Sequence, residues 1–202
     1  MGLRHEFDMI SPHHLFYAWG GLNNELFLWL NSYHGHYWDA LMLTMTAWGD
    51  HAHYPLYMAL ALLLAAWRPL ILPRGNVVIF GVGYCVTGWI VTAIKPALDF
   101  PRPLLALGGG AVHVVGRPEF FHSFPSGHAT FAVLLAASLS SGSSQALRWL
   151  LWIFALLVCI SRPVLGAHFP ADVLAGALIA LVTVFLLQML QKYGLRKQKL
   201  AE

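Results

Sequence analysis

The sequence predicts an all-α protein whose helices cross a membrane several times as one polytopic transmembrane bundle. Of its 202 residues, 58% are hydrophobic and only 10% are charged, whereas soluble domains carry about 25% charged residues. The apolar residues are gathered into five stretches, each close to the ~20 residues needed to cross a hydrocarbon core. Since no linker or internal repeat separates these stretches, residues 1–202 are predicted to form a single membrane-embedded domain.

Each of the five apolar stretches is predicted to be a transmembrane helix. Pro55 and Pro73 bracket the first stretch, and a run of glycines, Gly108–Gly110, follows the second. Proline and glycine end helices, which separates the stretches from their loops. The predicted spans cover residues 53–73, 76–98, 126–145, 147–167 and 170–191. They make a core of residues 53–191, which a basic tail of residues 192–202 follows.

The first 50 residues have a different character. The segments Leu22–His34 and Tyr37–Gly49 mix large apolar side chains with asparagine and acidic residues, and each is too short to span a bilayer alone. They are predicted to be interfacial or re-entrant helices. The alternative is one tilted helix through both segments, which would give six spans instead of five. Residues 1–8 lack the basic patch and apolar run of a cleavable signal peptide.

The basic residues predict the orientation in the membrane. Seven of them lie in the loops at 68–75 and 145–148 and in the tail: Arg68, Arg74, Arg148, Lys192, Arg196, Lys197 and Lys199. The positive-inside rule makes that face cytoplasmic and the loops at 99–125 and 165–170 exoplasmic. We therefore expect a bacterial inner-membrane protein whose functional face looks to the periplasm or exterior. The formal charge of +3 is too small and too localised to predict a nucleic-acid partner.

Three polar clusters interrupt the apolar sequence at helix ends on the predicted exoplasmic face. They are Lys95 with Arg102-Pro103, then Pro125-Ser126-Gly127-His128, then Ser161-Arg162 with His168 and Asp172. Taken singly, each has a structural interpretation as a surface lysine, a helix cap or a structural hydrogen bond. Ionisable groups near a bilayer are costly to bury, however, so three clusters on one face favour a functional site.

The basic members of these clusters predict a phosphate-binding site. Lys95, Arg102 and Arg162 come from separate segments and would repel one another unless an anion lay between them. Arginine binds phosphate oxygens with two parallel N–H groups, and lysine adds a compact charge. Ser126 and Gly127 open a helix, where backbone N–H groups and the positive end of the helix dipole favour an oxyanion.

The remaining polar residues predict a reaction at the bound phosphate. Asp172 follows His168 by four residues at a helix start, so its carboxylate can orient the imidazole and leave one ring nitrogen free to attack phosphorus. His128 would act as the general acid that protonates the leaving oxygen. A phosphohistidine intermediate and its hydrolysis would follow, and the reaction would need neither metal nor other cofactor.

The three clusters resemble the signature motifs of the type 2 phosphatidic acid phosphatase superfamily. The motifs K-x6-RP, PSGH and SR-x5-H-x3-D all occur, in that order, between Lys95 and Asp172. The resemblance implies a helical membrane fold, metal-independent dephosphorylation and His168 as the nucleophile. It further implies that Asp172 partners His168, that His128 is the general acid, and that the phosphate ligands are Lys95, Arg102, Ser126, Gly127 and Arg162.

The resemblance and the membrane composition together predict a lipid phosphate or diphosphate as substrate. The common members have six spans, and the shorter start seen here resembles some bacterial undecaprenyl diphosphate phosphatases of the superfamily. Undecaprenyl diphosphate is therefore the leading candidate, with phosphatidylglycerophosphate, phosphatidic acid and lipid A phosphates as competitors. The same residues would also suit a lipid phosphotransferase, or a protein that only binds lipid phosphates.

Several other polar residues carry weaker predictions. Three residues just before the phosphate-binding turn are candidates for headgroup recognition: Arg117, His122 and Ser123. The loop carboxylates Asp50 and Asp99 are interpreted as solvated. His51 and His53 lie close together, but two histidines without further ligands make a poor metal site.

Overall fold

The structure is a computed structural model that describes residue 17 and residues 19–201. The residues for which a signal peptide was considered lie outside this range. The α-helices of the described residues are α1 (Leu22–Asn31), α2 (His36–Trp48), α3 (Tyr54–Trp67), α4 (Arg74–Leu98), α5 (Pro103–Leu107), α6 (Gly127–Ser140), α7 (Gln145–Val164) and α8 (Pro170–Ala201).

Each predicted span has a helix, but two of these helices are shorter than predicted. α3 ends at Trp67 because Arg68 precedes Pro69 and leaves the helical conformation, with φ −136° and ψ 66°. α6 ends at Ser140, where a serine-rich turn containing Gly142 begins. α8 runs on to Ala201, so most of the predicted basic tail continues the last helix.

The predicted number of five to six spans is not confirmed. Among the described residues, three segments are long and apolar enough to cross a membrane: Arg74–Leu107, Gln145–Val164 and Pro170–Gly194. α3 and α6 have 14 residues each, which corresponds to about 21 Å of helix against a hydrocarbon core of about 30 Å.

α6 lies at the centre of the bundle. α4, α7 and α8 all pack against it, and twelve of its 14 residues are buried. Gly176 allows α8 to approach closely, since a Cβ there would lie 2.5 Å from the carbonyl oxygen of Ser126. Small residues at such crossings are typical of membrane helix packing. The start of α6 is therefore held firmly against the start of α8.

The outer faces of the long helices are apolar and exposed. Trp89 on α4 is 74% exposed, Leu150 on α7 66%, and Leu178 on α8 61%. Leaving a large apolar side chain in water forgoes about 1.5–3 kcal/mol of burial free energy. A bilayer removes that penalty, so these faces suit contact with lipid.

The amino-terminal region forms two separate helices, α1 and α2, rather than one. Residues 32–35 break the helix between them, so the prediction of two short helices is correct and the single tilted helix is not formed. Two buried asparagines fix α1 to the core. Asn23 accepts a hydrogen bond from the Ala171 N–H, and Asn31 donates to the carbonyl oxygens of Pro163 and Val164.

Candidate active site

The three polar clusters predicted from the sequence meet at one end of the bundle. Lys95 lies near the end of α4, Ser126 immediately before α6, and His168 in the loop between α7 and α8. The Ser126 N–H donates to the Asp172 carbonyl oxygen at 3.0 Å, which joins the start of α6 to the start of α8. Because α4 and α7 end where α6 and α8 begin, the packing of the bundle brings the clusters together.

His168 and Asp172 form a buried pair. The Nδ1 atom of His168 lies 3.3 Å from Asp172 Oδ2, and the two residues are 2% and 0% exposed. An ionised carboxylate can only accept hydrogen bonds, so Nδ1 carries the proton. The spacing of four residues thus brings these two side chains together at the start of α8.

The second nitrogen of His168 faces a cation. Arg102 Nη1 lies 3.3 Å from His168 Nε2, and a guanidinium can only donate, so the lone pair of the imidazole is at Nε2. Burial, followed by the charges of Arg102, Arg162 and Lys95, lowers the pKa of His168 well below its usual value. His168 is therefore a neutral imidazole whose unprotonated Nε2 is directed at the basic residues. This is the state that a nucleophile requires.

Arg102 is held rigidly by backbone and side-chain acceptors. Its Nε donates to the Phe121 carbonyl oxygen at 3.1 Å, and Nη1 donates to the Ala167 carbonyl oxygen at 3.0 Å. Its Nη2 pairs with Glu119 Oε2 at 2.7 Å. Nothing in the sequence pointed to Glu119 as a partner, because a loop carboxylate is usually solvated.

Arg162 and Lys95 approach the same region from α7 and α4. Arg162 donates to the hydroxyl of Thr46, while its buried Nε finds no acceptor in the part of the chain that the structure describes. Lys95 Nζ donates to the carbonyl oxygen of His122 at 2.8 Å. A buried guanidinium N–H without an acceptor is costly, so an anion bound beside Arg162 would relieve that cost.

The start of α6 has the features of an oxyanion cradle. Ser126 is the N-cap residue, yet its side chain does not cap the helix, and its buried Oγ has no hydrogen-bond partner among the described residues. A Cβ at Gly127 would meet nothing within 4 Å, so the backbone there is open to a ligand. The first N–H groups of a helix have no partner within the helix and can bind a phosphate oxygen.

His128 lies beside the carboxylate of Asp50, although the loop position of Asp50 predicts a solvated side chain. His128 Nε2 is 3.5 Å from Asp50 Oδ2, and Asp50 Oδ1 accepts from the Ala52 N–H at 2.8 Å. Partial burial works against the charge of Asp50, but this N–H and the nearby histidines outweigh it and hold the pKa of Asp50 below its usual value. Asp50 is thus ionised at neutral pH, but burial and the charge of Arg162 outweigh its effect and lower the pKa of His128. The negative charge of a bound phosphate would add to that of Asp50 and favour a proton on His128.

These residues surround a cavity of about 340 Å³. Four basic side chains and one carboxylate line it, together with three histidines and Gly127: Lys95, Arg102, Arg117, Arg162, Glu119, His51, His128 and His168. The excess of positive charge fits a multiply anionic group. A second cavity of about 250 Å³ shares Lys95, Gly127 and His51 with the first. It lies between α4 and α6, and we call it the side cleft.

The three residues predicted as candidates for headgroup recognition lie in different surroundings. Ser123 is fully buried and donates to Asp172 Oδ2 at 2.6 Å, so it does not face a headgroup. His122 pairs through Nδ1 with Asp99 Oδ1 at 2.9 Å, and Arg117 lines the main cavity. Within residues 17 and 19–201, no group of three or more histidine, cysteine, aspartate or glutamate side chains could hold a metal ion.

Comparison with known proteins identifies the family of this chain. The family model of the PAP2 superfamily, the type 2 phosphatidic acid phosphatases, matches residues 76–195. The chain belongs to this superfamily. It is 29% identical over 174 residues to undecaprenyl-diphosphatase BcrC of Bacillus subtilis (strain 168), covering 82% of both proteins.

Two solved structures share the fold. The crystal structure of Aquifex aeolicus LpxE has a TM-score of 0.72 and 27% identity, covering 83% of this chain and 95% of that one. That of a PAP2-type phosphatidylglycerolphosphate phosphatase from Bacillus subtilis has a TM-score of 0.72 and 18% identity, covering 93% and 90%. The chain is therefore an integral membrane protein and a lipid phosphatase of the PAP2 type.

Proposed function

We propose that this lipid phosphatase hydrolyses its substrate through a covalent phosphohistidine at His168. The observation that carries the proposal is the neutral His168 whose free Nε2 faces the basic residues of the main cavity. A phosphoryl group bound among Lys95, Arg102 and Arg162 would lie directly before that nitrogen. The basic side chains, the unpartnered Ser126 hydroxyl and the N–H group of Gly127 would stabilise the charge on the transferring phosphoryl oxygens.

In the first step the Nε2 lone pair attacks phosphorus, and the bond from phosphorus to the leaving oxygen breaks. His128 gives its proton to that oxygen, while Asp172 stabilises the positive charge that develops on the ring of His168. In the second step His128 removes a proton from water, whose oxygen attacks phosphorus. The bond between phosphorus and Nε2 breaks, its electron pair returns to Nε2, inorganic phosphate leaves, and His168 is again neutral. Charge and protons are supplied by the side chains, so the proposed reaction uses no metal.

The side cleft supports an amphiphilic substrate. Its lining between α4 and α6 is mainly apolar or weakly polar and includes Tyr84, Thr87, Gly88, Val91 and Phe131. A lipid whose phosphate lies in the main cavity could leave its first tail carbons in this cleft. Undecaprenyl diphosphate is the leading substrate, because the relative BcrC is named for it. Phosphatidylglycerophosphate, phosphatidic acid and lipid A phosphates are the alternatives.

Narrowing the side cleft is expected to weaken lipid turnover selectively. A Cβ at Gly88 would meet nothing within 4 Å, so Gly88→Leu should fill the cleft without disturbing α4. We expect its KM for a long-chain lipid phosphate to rise about tenfold, the cost of losing roughly two buried methylenes, with little change for a short soluble phosphate ester. Val78→Leu, on the exposed face of α4, is the control. An equal rise in KM for both substrates would contradict a cleft that binds the lipid tail.

We also propose that the site opens to the periplasm or exterior of a bacterial inner membrane. The basic residues that support this orientation lie at the opposite end of the bundle, where Gln191 of α8 donates to the Gly75 carbonyl oxygen of α4. In a variant without Cys85 and Cys159, an impermeant thiol reagent should label Gly109→Cys in intact cells and spare Gly194→Cys. The reverse pattern would overturn the orientation.

Phosphate release from a panel of lipids tests the proposed function as a whole. The purified protein, with and without a chelator, would be given undecaprenyl diphosphate, phosphatidylglycerophosphate, phosphatidic acid and lipid A in detergent. We expect chelator-resistant release that is fastest from undecaprenyl diphosphate. Loss of activity with chelator would contradict the metal-free reaction. A phosphorylated acceptor lipid without free phosphate would instead assign the protein as a phosphotransferase.

A further inference from the structure

The carboxylate of Asp172 receives more hydrogen bonds than the family motifs account for. Besides facing His168, its Oδ2 accepts from the Ser123 hydroxyl at 2.6 Å and from the Phe169 N–H at 2.9 Å. Its Oδ1 accepts from the Tyr17 hydroxyl at 2.8 Å. Both carboxylate oxygens are therefore held, and a carboxylate bound at both oxygens is not free to rotate away from the imidazole.

Tyr17 comes from a part of the chain far from the motifs, since the family match begins at residue 76. Its ring contacts those of Phe100, Phe124 and Phe169, with centroids 4.5, 6.0 and 5.9 Å away. Phe100 lies two residues before Arg102, Phe124 two before Ser126, and Phe169 next to His168. One tyrosine thus touches the three segments that carry the three motifs.

The hydroxyl of Tyr17 is suited to donate rather than to ionise. Burial, followed by the negative charge of Asp172, raises the pKa of Tyr17 well above its usual value, so the hydroxyl keeps its proton. The Ser123 hydroxyl also donates, because the Asp172 carboxylate can only accept. Ser123 is fully buried, and its backbone N–H donates to the Phe100 carbonyl oxygen at 2.9 Å. Neither side chain lines the main cavity, where the phosphoryl group would bind.

We propose that Tyr17 and Ser123 are positioning residues that fix the Asp172 carboxylate against His168 Nδ1. Held in this way, Asp172 keeps the proton of His168 on Nδ1 and the lone pair on Nε2. Tyr17 is then part of the active site, although it lies outside the residues that the family model matches. The inference rests on the proposed phosphohistidine reaction, since only a reaction at Nε2 needs this control of the tautomer.

The test is steady-state kinetics of Tyr17→Phe on the full-length protein with the lipid that the wild type hydrolyses. Phenylalanine keeps the three ring contacts and removes only the hydroxyl. We expect kcat to fall about tenfold, as for loss of one hydrogen bond to a charged group. KM and the Kd of inorganic vanadate should stay within about twofold of their wild-type values. Tyr37→Phe, whose side chain is exposed, is the matched control and should behave like the wild type.

Ser123→Ala removes a donor from the other carboxylate oxygen and should give the same fall in kcat at unchanged KM. It keeps the proposal testable should Tyr17→Phe prove poorly folded by its thermal midpoint in detergent. Unchanged kcat in either folded variant, or an effect confined to KM, would overturn the positioning role while leaving the phosphatase proposal intact. A wild type that hydrolyses none of the lipids would overturn both.

Discussion

Replacing His168 with asparagine is expected to lower kcat at least about 10⁴-fold, because the variant has no ring nitrogen to attack phosphorus. Asparagine is polar and smaller, and its amide can still donate to Asp172 Oδ2, which lies 3.3 Å from the imidazole in the native protein. Phosphate release by the purified variant measures the effect. Since the basic residues remain, the Kd of inorganic phosphate should change by only a few-fold.

His36→Asn is the control for this experiment, since His36 is an exposed residue at the start of α2, outside both cavities. It should retain wild-type turnover. If His168→Asn kept more than about a tenth of the wild-type kcat, an effect of less than about 1.4 kcal/mol on the barrier, water would be attacking phosphorus directly. His168 would then only bind substrate.

Arg162→Lys is expected to lower kcat about 10²-fold, the usual cost of losing one donor that stabilises charge in the transition state. The charge is kept, but a lysine lacks the planar arrangement of donors that the buried Arg162 offers. The Nε of Arg162 has no acceptor among the described residues, so we expect it to donate to a phosphoryl oxygen. The vanadate Kd should rise in the same variant, because vanadate occupies the same oxygen positions.

Arg148→Lys provides a matched control on the same helix. Arg148 is exposed near the start of α7, and its Nη2 donates to the Ser143 carbonyl oxygen at 3.3 Å. The substitution should leave kcat and the vanadate Kd unchanged. Equal effects of the two substitutions would indicate a general loss of stability of α7 and would remove Arg162 from the phosphate site.

The convergence of the active-site residues could be predicted from the sequence, but their supporting contacts could not. The motifs fix the spacing of His168 and Asp172 within one helix turn, and they place Ser126 at a helix start, so local geometry determines much of the site. The contacts of Asp50 with His128 and of Tyr17 with Asp172 join residues 78 and 155 positions apart. Such pairs depend on how the helices pack, which hydrophobic patterning does not specify.

The positions of the core helices could be predicted from the sequence, but the lengths of two of them could not. The apolar stretches correctly predicted where each helix of the core would lie, because apolar content is what a membrane selects. They overestimated the lengths of α3 and α6, because the apolar runs continue past the residues that end these helices, Arg68 before Pro69 and the turn containing Gly142. The small residues of α6 are the signal that would have favoured a central position, as small side chains let neighbouring helices approach closely.

The most direct test of the proposed mechanism is to trap the phosphorylated protein during turnover. The protein would be mixed with a lipid substrate carrying labelled phosphate, quenched rapidly in alkali to preserve phosphohistidine, and digested for peptide mapping. The mechanism predicts label on the peptide containing His168, lost on a chase with unlabelled substrate and absent from His168→Asn. Label on any other residue, or turnover with no more label than the variant shows, would contradict it.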